Sequence, residues 1–332
     1  MTKKIQAIIR GLGAFVPEKI LSNSDLEKIV ETSNEWITTR TGISERRIAQ
    51  TDEFPSTMGI QAAKMALAAG GLPPQELDAI IVSSLTPDYL CPTTASVIQH
   101  GLGATKACAF DIQAACSGFL YGLSLAKAYV ESGIYRHVLL VAAEKNSSFI
   151  DYQDRATCVI FGDGAGAALI SQEGAGWSIG HVSLGTDGEW GHLLSIPASG
   201  ARLPASHETV DKRLHYMKMN GKEIFRHAVR RMEASAKECL EKENLTPSDI
   251  RWLIPHQANL RIMESCAKRF DIPWERVYRT IHKYGNTSSS SIPIALCELE
   301  KSTPCAPNEN IMLAAFGGGL TWGASILKKV VS

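Results

Sequence analysis

Cys116 sits in the run Ala114-Ala-Cys-Ser-Gly118, among small residues at what reads as the passage from a strand into a helix. A thiol at a helix amino terminus lies at the positive end of the helix dipole, which favours the thiolate, and small neighbours leave room for a substrate. His256 follows the run Trp252-Leu-Ile-Pro255, so it emerges at the carboxyl end of a predicted strand, where α/β sheets tend to bind their ligands. Asn286 lies in Tyr284-Gly-Asn-Thr-Ser-Ser-Ser-Ser291. Each has a plain structural reading when taken alone: a small buried cysteine, a hydrogen-bonding histidine, an asparagine in a Gly-Asn turn. Together, a thiol, an imidazole and an amide suggest covalent acyl chemistry. The run Phe316-Gly-Gly-Gly-Leu-Thr-Trp-Gly323 lacks both the lysine of a phosphate loop and the GxGxxG spacing. Its glycines instead allow backbone N–H groups to approach a developing oxyanion. Phe161-Gly-Asp-Gly-Ala-Gly166 has no reactive neighbours and reads as the structural counterpart of that run.

The elements that must position these residues alternate along the chain. Short β-branched apolar runs at Ala79–Val82, Val138–Val141, Trp252–Ile254 and Ile311–Ala315 read as buried strands of an α/β fold. Ser24 and Glu27 form an expected capping box for a helix that buries Leu26, Ile29 and Val30. A longer helix over Gly221–Glu243 places Ile224, Phe225, Ala228, Val229, Met232, Ala236, Cys239 and Leu240 on one face. The two parts of the chain also match each other. Gly71–Ile81 resembles Asn244–Ile254, Phe161–Gly166 resembles Phe316–Gly323, and between them each part has a small-residue turn opening a helix. Three landmarks in the same order imply an internal duplication, with halves 1–173 and 174–332 joined near residues 171–176. A pseudo-twofold axis would set the two turns side by side and bring Cys116 to Asn286 across 170 residues of sequence.

The 332 residues suffice for one large or two medium domains, and 34 basic against 34 acidic side chains argue against nucleic acid as the main ligand. Eight cysteines with no CxxC pair fit reduced thiols in a cytosolic protein better than a disulfide framework. The opening segment, Met1–Glu18, reads as a first strand and not as a signal peptide. No apolar run approaches the ~20 residues of a membrane span, so a soluble protein is expected.

AACSG, PHQANLRI, GNTSSSS and AFGGGLTWG together resemble β-ketoacyl-acyl-carrier-protein synthase III, the initiating condensing enzyme of bacterial fatty-acid synthesis. The likeness runs from Gly11–Glu18 through Glu35–Ile43 to the carboxyl terminus. It implies a thiolase-like α/β fold, with two duplicated halves in a five-layer αβαβα arrangement, and a homodimer. It implies that Cys116 takes an acyl group from acyl-CoA, and that His256 and Asn286 stabilise the enolate left when malonyl carrier protein loses CO₂. The Cys116 and Gly318 N–H groups would form the oxyanion hole. By the same likeness Thr32, Trp36, Arg40, Arg155 and Lys222 would hold CoA, without a metal or bound cofactor. Arg226, Arg230 and Arg231 on one helix, with Arg261, Lys268 and Arg269 after the histidine, offer a basic patch to an acidic carrier protein. Met219 and Leu320 are expected along the acyl pocket. Cys91 replaces a phenylalanine common in the family at the floor of the partner's pocket, which implies room for primers beyond acetyl.

Two other chemistries use the same residues. An acyltransferase or specialised-pathway condensing enzyme would keep the cysteine and change the acceptor. A thioester hydrolase would expose the acyl-cysteine to water, but it calls for a carboxylate to orient a basic histidine, and the sequence shows none beside His256. The cysteine of thiolases in the last glycine run is absent from Phe316–Gly323.

Overall fold

The structure, a computed structural model, describes residues 5–331; the basic start Met1–Lys4 lies outside them. Nine strands form one continuous sheet: β1 (Ile8–Phe15), β2 (Ala79–Ser83), β3 (Cys108–Ile112), β4 (His137–Glu144), β5 (Gly164–Ser171), β6 (Gly176–Thr186), β7 (Ile250–Pro255), β8 (Asn310–Gly317) and β9 (Thr321–Val330). The helices that cover it and frame the site are α1 (Asn34–Thr41), α2 (Pro55–Gly70), α3 (Thr94–Leu102), α4 (Gly118–Glu131), α5 (Gly221–Glu243), α6 (Leu260–Arg269) and α7 (Ser291–Ser302). All four strands expected from apolar runs are present, and α5 has the limits that its periodicity implied.

Across the sheet the order is β7-β8-β9-β6-β1-β5-β4-β2-β3. Counted within each half, both parts follow the order third-second-fourth-fifth-first. The third strand of the second half has shrunk to one parallel bridge, Leu253 to Val277. The halves join where β1 pairs antiparallel with both β5 and β6. α2 and α3 cover one face of the first half around Met58, Ala62, Leu67 and Ile98, and α5 and α6 cover the second half around Met232, Cys239, Met263 and Cys266. Between the two lie α4 and α7, whose Phe119, Leu120, Leu123, Ile292, Leu296 and Leu299 share one core with both sets of strands. The result is the five-layer αβαβα stack.

Strands buried on both faces explain the continuous apolar runs, since every residue of β2 and β8 is buried. The helix ends also match. α2 and α5 each end on a left-handed residue (Gly71, Asn244), followed by a 3-10 turn at Pro74–Glu76 or Pro247–Asp249 and then a strand. One expectation fails. The capping box is formed by Ser22 and Asp25, not Ser24 and Glu27, and its helix is the single turn Asn23–Leu26. Leu26 is buried as expected, but Ile29 is half exposed because the chain leaves the helical path before reaching it.

Candidate active site

Strand β3 ends at Ile112, and the chain turns through a 3-10 segment, Ala115–Ser117, into α4. Ala115 holds φ +45°, a left-handed conformation that is costly for a residue with a Cβ. The bend is fixed from the other half: Thr321 Oγ1 donates to the Ala114 carbonyl at 2.8 Å. Gly317 packs so close that a Cβ there would stand 2.6 Å from the Cys116 nitrogen. Cys116 is buried, and the Ser288 hydroxyl donates to its sulfur at 3.6 Å.

His256 is the first residue beyond β7, and its N–H donates to the Ala314 carbonyl of β8 at 2.7 Å. The adjacent Gln257 ties the loop down. Its side-chain N–H donates to the Pro255 carbonyl (2.6 Å), and its oxygen accepts from the Thr280 and Ile281 N–H groups. The His256 Nδ1 lies 2.7 Å from the Ser291 hydroxyl, at the start of α7. Asn286 is clamped by its backbone, donating to the Ile160 carbonyl and accepting from the Gly162 N–H. Its side-chain oxygen accepts the Ser288 N–H at 2.8 Å, which leaves the amide NH₂ as the free donor.

Cys116, His256 and Asn286 line one cavity of about 560 Å³, mostly apolar and open to the surface. Trp36, Arg40, Lys222, Phe225 and Arg261 border it as well. A second cavity of about 650 Å³ lies against the other side of the cysteine turn, bordered by Ala114, Ala115, Gly318, Gly319, Leu194, Tyr89 and Leu90.

Burial governs the electrostatics. It pushes the Cys116 thiol up to about 12, the charge of Glu144 adds to the rise, and the Ser288 hydroxyl opposes it. The expected help from the α4 dipole is worth at most ~2 kcal/mol, or roughly one and a half pKa units. Desolvation therefore wins, and the resting group is a thiol. Burial alone drives His256 down to about 3, so it is neutral. Beneath the cysteine, Glu144 is wholly buried and raised by desolvation. It receives hydrogen bonds from Ser84, Leu85 N–H, Thr86 and Ser289 and has no cationic partner among the described residues.

Around the mouth, Trp36 has two guanidinium groups against its ring, Arg40 at 5.1 Å and Arg155 at 4.9 Å from the centroid. Thr32 keeps a buried hydroxyl with no hydrogen-bond partner. Lys222 is exposed at the rim. Of the basic patch, Arg230, Arg261 and Lys268 are exposed, whereas Arg226 pairs with Glu223 and Arg269 with Glu233. Arg231 turns away, paired with Asp187 and stacked over Trp322. Met219 lines the first cavity. Leu320 is fully buried and borders neither cavity, and Cys91 is exposed and borders neither, although its neighbours Tyr89 and Leu90 do.

Residues 110–188 match the family described as 3-oxoacyl-[acyl-carrier-protein (ACP)] synthase III, and residues 240–329 match its C-terminal region. The chain belongs to this family. A β-ketoacyl-[acyl-carrier-protein] synthase III of Chlamydia pneumoniae is 52% identical over 331 residues, 99% of each chain. The synthase III of Aquifex aeolicus VF5 has the same thiolase-like structure, with a TM-score of 0.89 and 45% identity over 97% of this chain and 99% of that one. A priming β-ketosynthase of the R1128 polyketide pathway gives a TM-score of 0.91 at 36% identity, covering 100% and 99%.

For a synthase III chain, the sequence reading missed the individual work of the serines. Ser288 meets the Cys116 sulfur, Ser289 meets Glu144, Ser290 donates to the Thr287 carbonyl and Ser291 meets His256. Four hydroxyls in a row entering a helix were the available signal. Glu144 had one too, as the lone acid closing an apolar strand.

Proposed function

We propose that this chain condenses an acyl-CoA primer with malonyl-acyl carrier protein, giving 3-oxoacyl-acyl carrier protein, CoA and CO₂, and so initiates fatty-acid synthesis. The observation that carries this reading is the convergence of Cys116, His256 and Asn286, from turns far apart in sequence, on one apolar cavity. The Cys116 sulfur attacks the acyl thioester carbon, its proton passes to the departing CoA sulfur, and the acyl group stays on the enzyme. The malonyl group then loses CO₂, and the electrons of the broken C–C bond form an enolate. His256 and Asn286 donate hydrogen bonds to its oxygen, and its carbon attacks the acyl-cysteine carbonyl. The tetrahedral intermediate collapses by breaking the C–S bond, and the released Cys116 thiolate takes up a proton from solvent. Decarboxylation creates the carbanion, so donors are needed and a strong base is not. A neutral histidine suits that role. Cys116 and Gly318 N–H groups hold the oxyanion of each tetrahedral intermediate, and the reaction needs no metal or prosthetic group.

CoA is held by Thr32, Trp36, Arg40, Arg155 and Lys222. The aromatic ring with two cations close to it and the unpartnered Thr32 hydroxyl support this assignment. Arg230, Arg261 and Lys268, with Arg226 and Arg269 at their edges, receive the carrier protein. On this subunit Met219 borders the acyl group, and Cys91 and Leu320 act on pocket shape only indirectly. A homodimer is supported by β3, an unpaired strand at the sheet edge, and by the exposed Tyr89 and Leu90 beside the second cavity. We place the seam between the halves at residues 173–174, between β5 and β6. A reducing cytoplasm suits eight unpaired cysteines. No helix among the described residues is long and apolar enough to cross a membrane.

A specialised-pathway condensing enzyme is the second reading, supported by the likeness to the R1128 priming synthase. Hydrolysis is disfavoured, because the His256 ring meets a serine and no carboxylate. Mass spectrometry after incubation with a panel of acyl-CoAs, without malonyl donor, tests the proposal. A stable acyl adduct on Cys116 supports it and reveals the primer; free CoA accumulating without an adduct indicates hydrolysis.

A further inference from the structure

We propose that Ser291 is a positioning residue that fixes the tautomer of His256, holding the ring proton on Nε2 so that the imidazole donates into the cavity. The inference rests on the proposed role of His256 as an enolate donor. A neutral imidazole carries one N–H, and the partner of one nitrogen decides where that proton sits. Here the Nδ1 partner is the Ser291 hydroxyl at 2.7 Å, in a fully buried setting. A hydroxyl can donate to Nδ1 or accept from it, and the two cases have opposite consequences. If it accepts, Nε2 presents a lone pair and the ring is a base. If it donates, Nε2 carries the proton and the ring is a hydrogen-bond donor.

The surroundings choose between these cases. The Gln257 N–H points at the Ser291 oxygen from 3.4 Å, so the oxygen already faces one donor. Among the described residues the hydroxyl proton has no acceptor other than His256 Nδ1. The Thr287 carbonyl is a common type of target for a hydroxyl early in a helix, but Ser290 occupies it at 2.8 Å. Donation to Nδ1 is therefore the arrangement that satisfies every group. It leaves Nε2–H available to the cavity that also contains Cys116 and the Asn286 amide. His256 and Asn286 then present donors only, which suits an enolate oxygen and not a proton to be removed. The counterpart of the Ser291–His256 pair in the first half is Gly118 and Ser83. Those two positions are in close contact, since a Cβ on Gly118 would stand 1.8 Å from the Ser83 hydroxyl. The contact recurs in both halves, but only the second half has placed a serine and a histidine in it.

The test uses full-length protein labelled with ¹⁵N-histidine, in parent, Ser291→Ala, Ser291→Thr and His256→Ala forms. In the parent, the His256 Nδ1 should resonate as a pyridine-type nitrogen and Nε2 as a pyrrole-type one. Ser291→Ala should mix or reverse the two, and Ser291→Thr, which keeps the hydroxyl, should restore them. Malonyl decarboxylation should fall at least tenfold in Ser291→Ala, toward but not beyond the ~10²–10³ of losing one oxyanion donor outright. Acyl loading of Cys116 should stay within about twofold. A parent protein protonated on Nδ1, or a Ser291→Ala variant with unchanged tautomer and decarboxylation, overturns the proposal. An equal loss of loading and decarboxylation also overturns it, by revealing a merely structural serine. If His256→Ala itself decarboxylates at the parent rate, the donor role of His256 is what fails.

Discussion

Replacing Gly317 by alanine should disable Cys116 without touching any reactive side chain. An added Cβ would lie 2.6 Å from the Cys116 nitrogen and 3.2 Å from both its Cα and its Cβ. The first distance falls about 0.9 Å short of the ~3.5 Å at which heavy atoms pack comfortably. The obstacle is backbone, so no rotamer change relieves it, and Gly317 sits in the last position of β8, held by its pairing with β9. The cysteine turn must therefore retreat by most of that distance. Misplacement by ~1 Å costs about 10²-fold in well-ordered sites, and overpacking typically costs ~1–3 kcal/mol of stability. Intact-protein mass spectrometry over time, with acyl-CoA alone, should show loading of Cys116 slowed about a hundredfold. Thermal unfolding should show a fold that survives. Gly188→Ala, where an added Cβ meets nothing within 4 Å, is the matched control and should load normally. Parent-rate loading by Gly317→Ala would refute the argument that this glycine exists to let the two halves touch at the sulfur-bearing turn.

Three further outcomes follow from the electrostatics. With its thiol raised to about 12, Cys116 should be alkylated by iodoacetamide at a rate that climbs with pH to beyond pH 10. Levelling near the ~8.5 of an ordinary cysteine, seen on the Cys116 peptide, would contradict a desolvated thiol. His256 titrates near 3 when folded against ~6.5 unfolded, so the unfolded chain binds the extra proton and stability is lost as pH falls below 6.5. At pH 5 the loss should be about 2 kcal/mol relative to a His256→Gln variant measured by urea unfolding, and equal slopes in the two proteins would refute it. Added salt should slow the reaction with malonyl carrier protein more than acyl loading, and Arg230→Glu with Lys268→Glu should shrink that difference; identical salt responses in the parent would remove the patch from the docking surface.

The fold was legible where patterns are local and repeated. Apolar runs gave the strands, α5 announced its own limits, and matched landmarks exposed the duplication that sets the Cys116 and Asn286 turns together. What depends on depth was not legible. The motif around Cys116 suggests a dipole-activated thiolate, yet burial outweighs the dipole, and burial is a property of the packed whole. The Ser22–Asp25 cap was missed because two overlapping pairs, Ser22/Asp25 and Ser24/Glu27, carry the same signature three residues apart, and only the path of the chain selects one. Leu320 and Cys91 sit near pocket-forming residues in sequence, but Leu320 lies in a turn and Cys91 in a bend, where no strand or helix period tells which side a residue faces. Thr32 and Arg155 come to the same region as Trp36 through loops whose course no periodicity encodes.

The serine run Ser288–Ser291 sets a phase as well as a composition. Along a 3-10 turn passing into a helix, each residue rotates by roughly 100–120° from the last, so Ser288, Ser289 and Ser290 face three different directions and Ser291 comes back to nearly the side of Ser288, one turn further on. Here those directions lead to the Cys116 sulfur, the Glu144 carboxyl, the Thr287 carbonyl and the His256 ring. Exchanging one serine alters one of these contacts. Inserting or deleting one residue shifts the whole sequence of directions and gives every partner the wrong neighbour. The length of this turn is therefore constrained more tightly than the identity of any single residue within it.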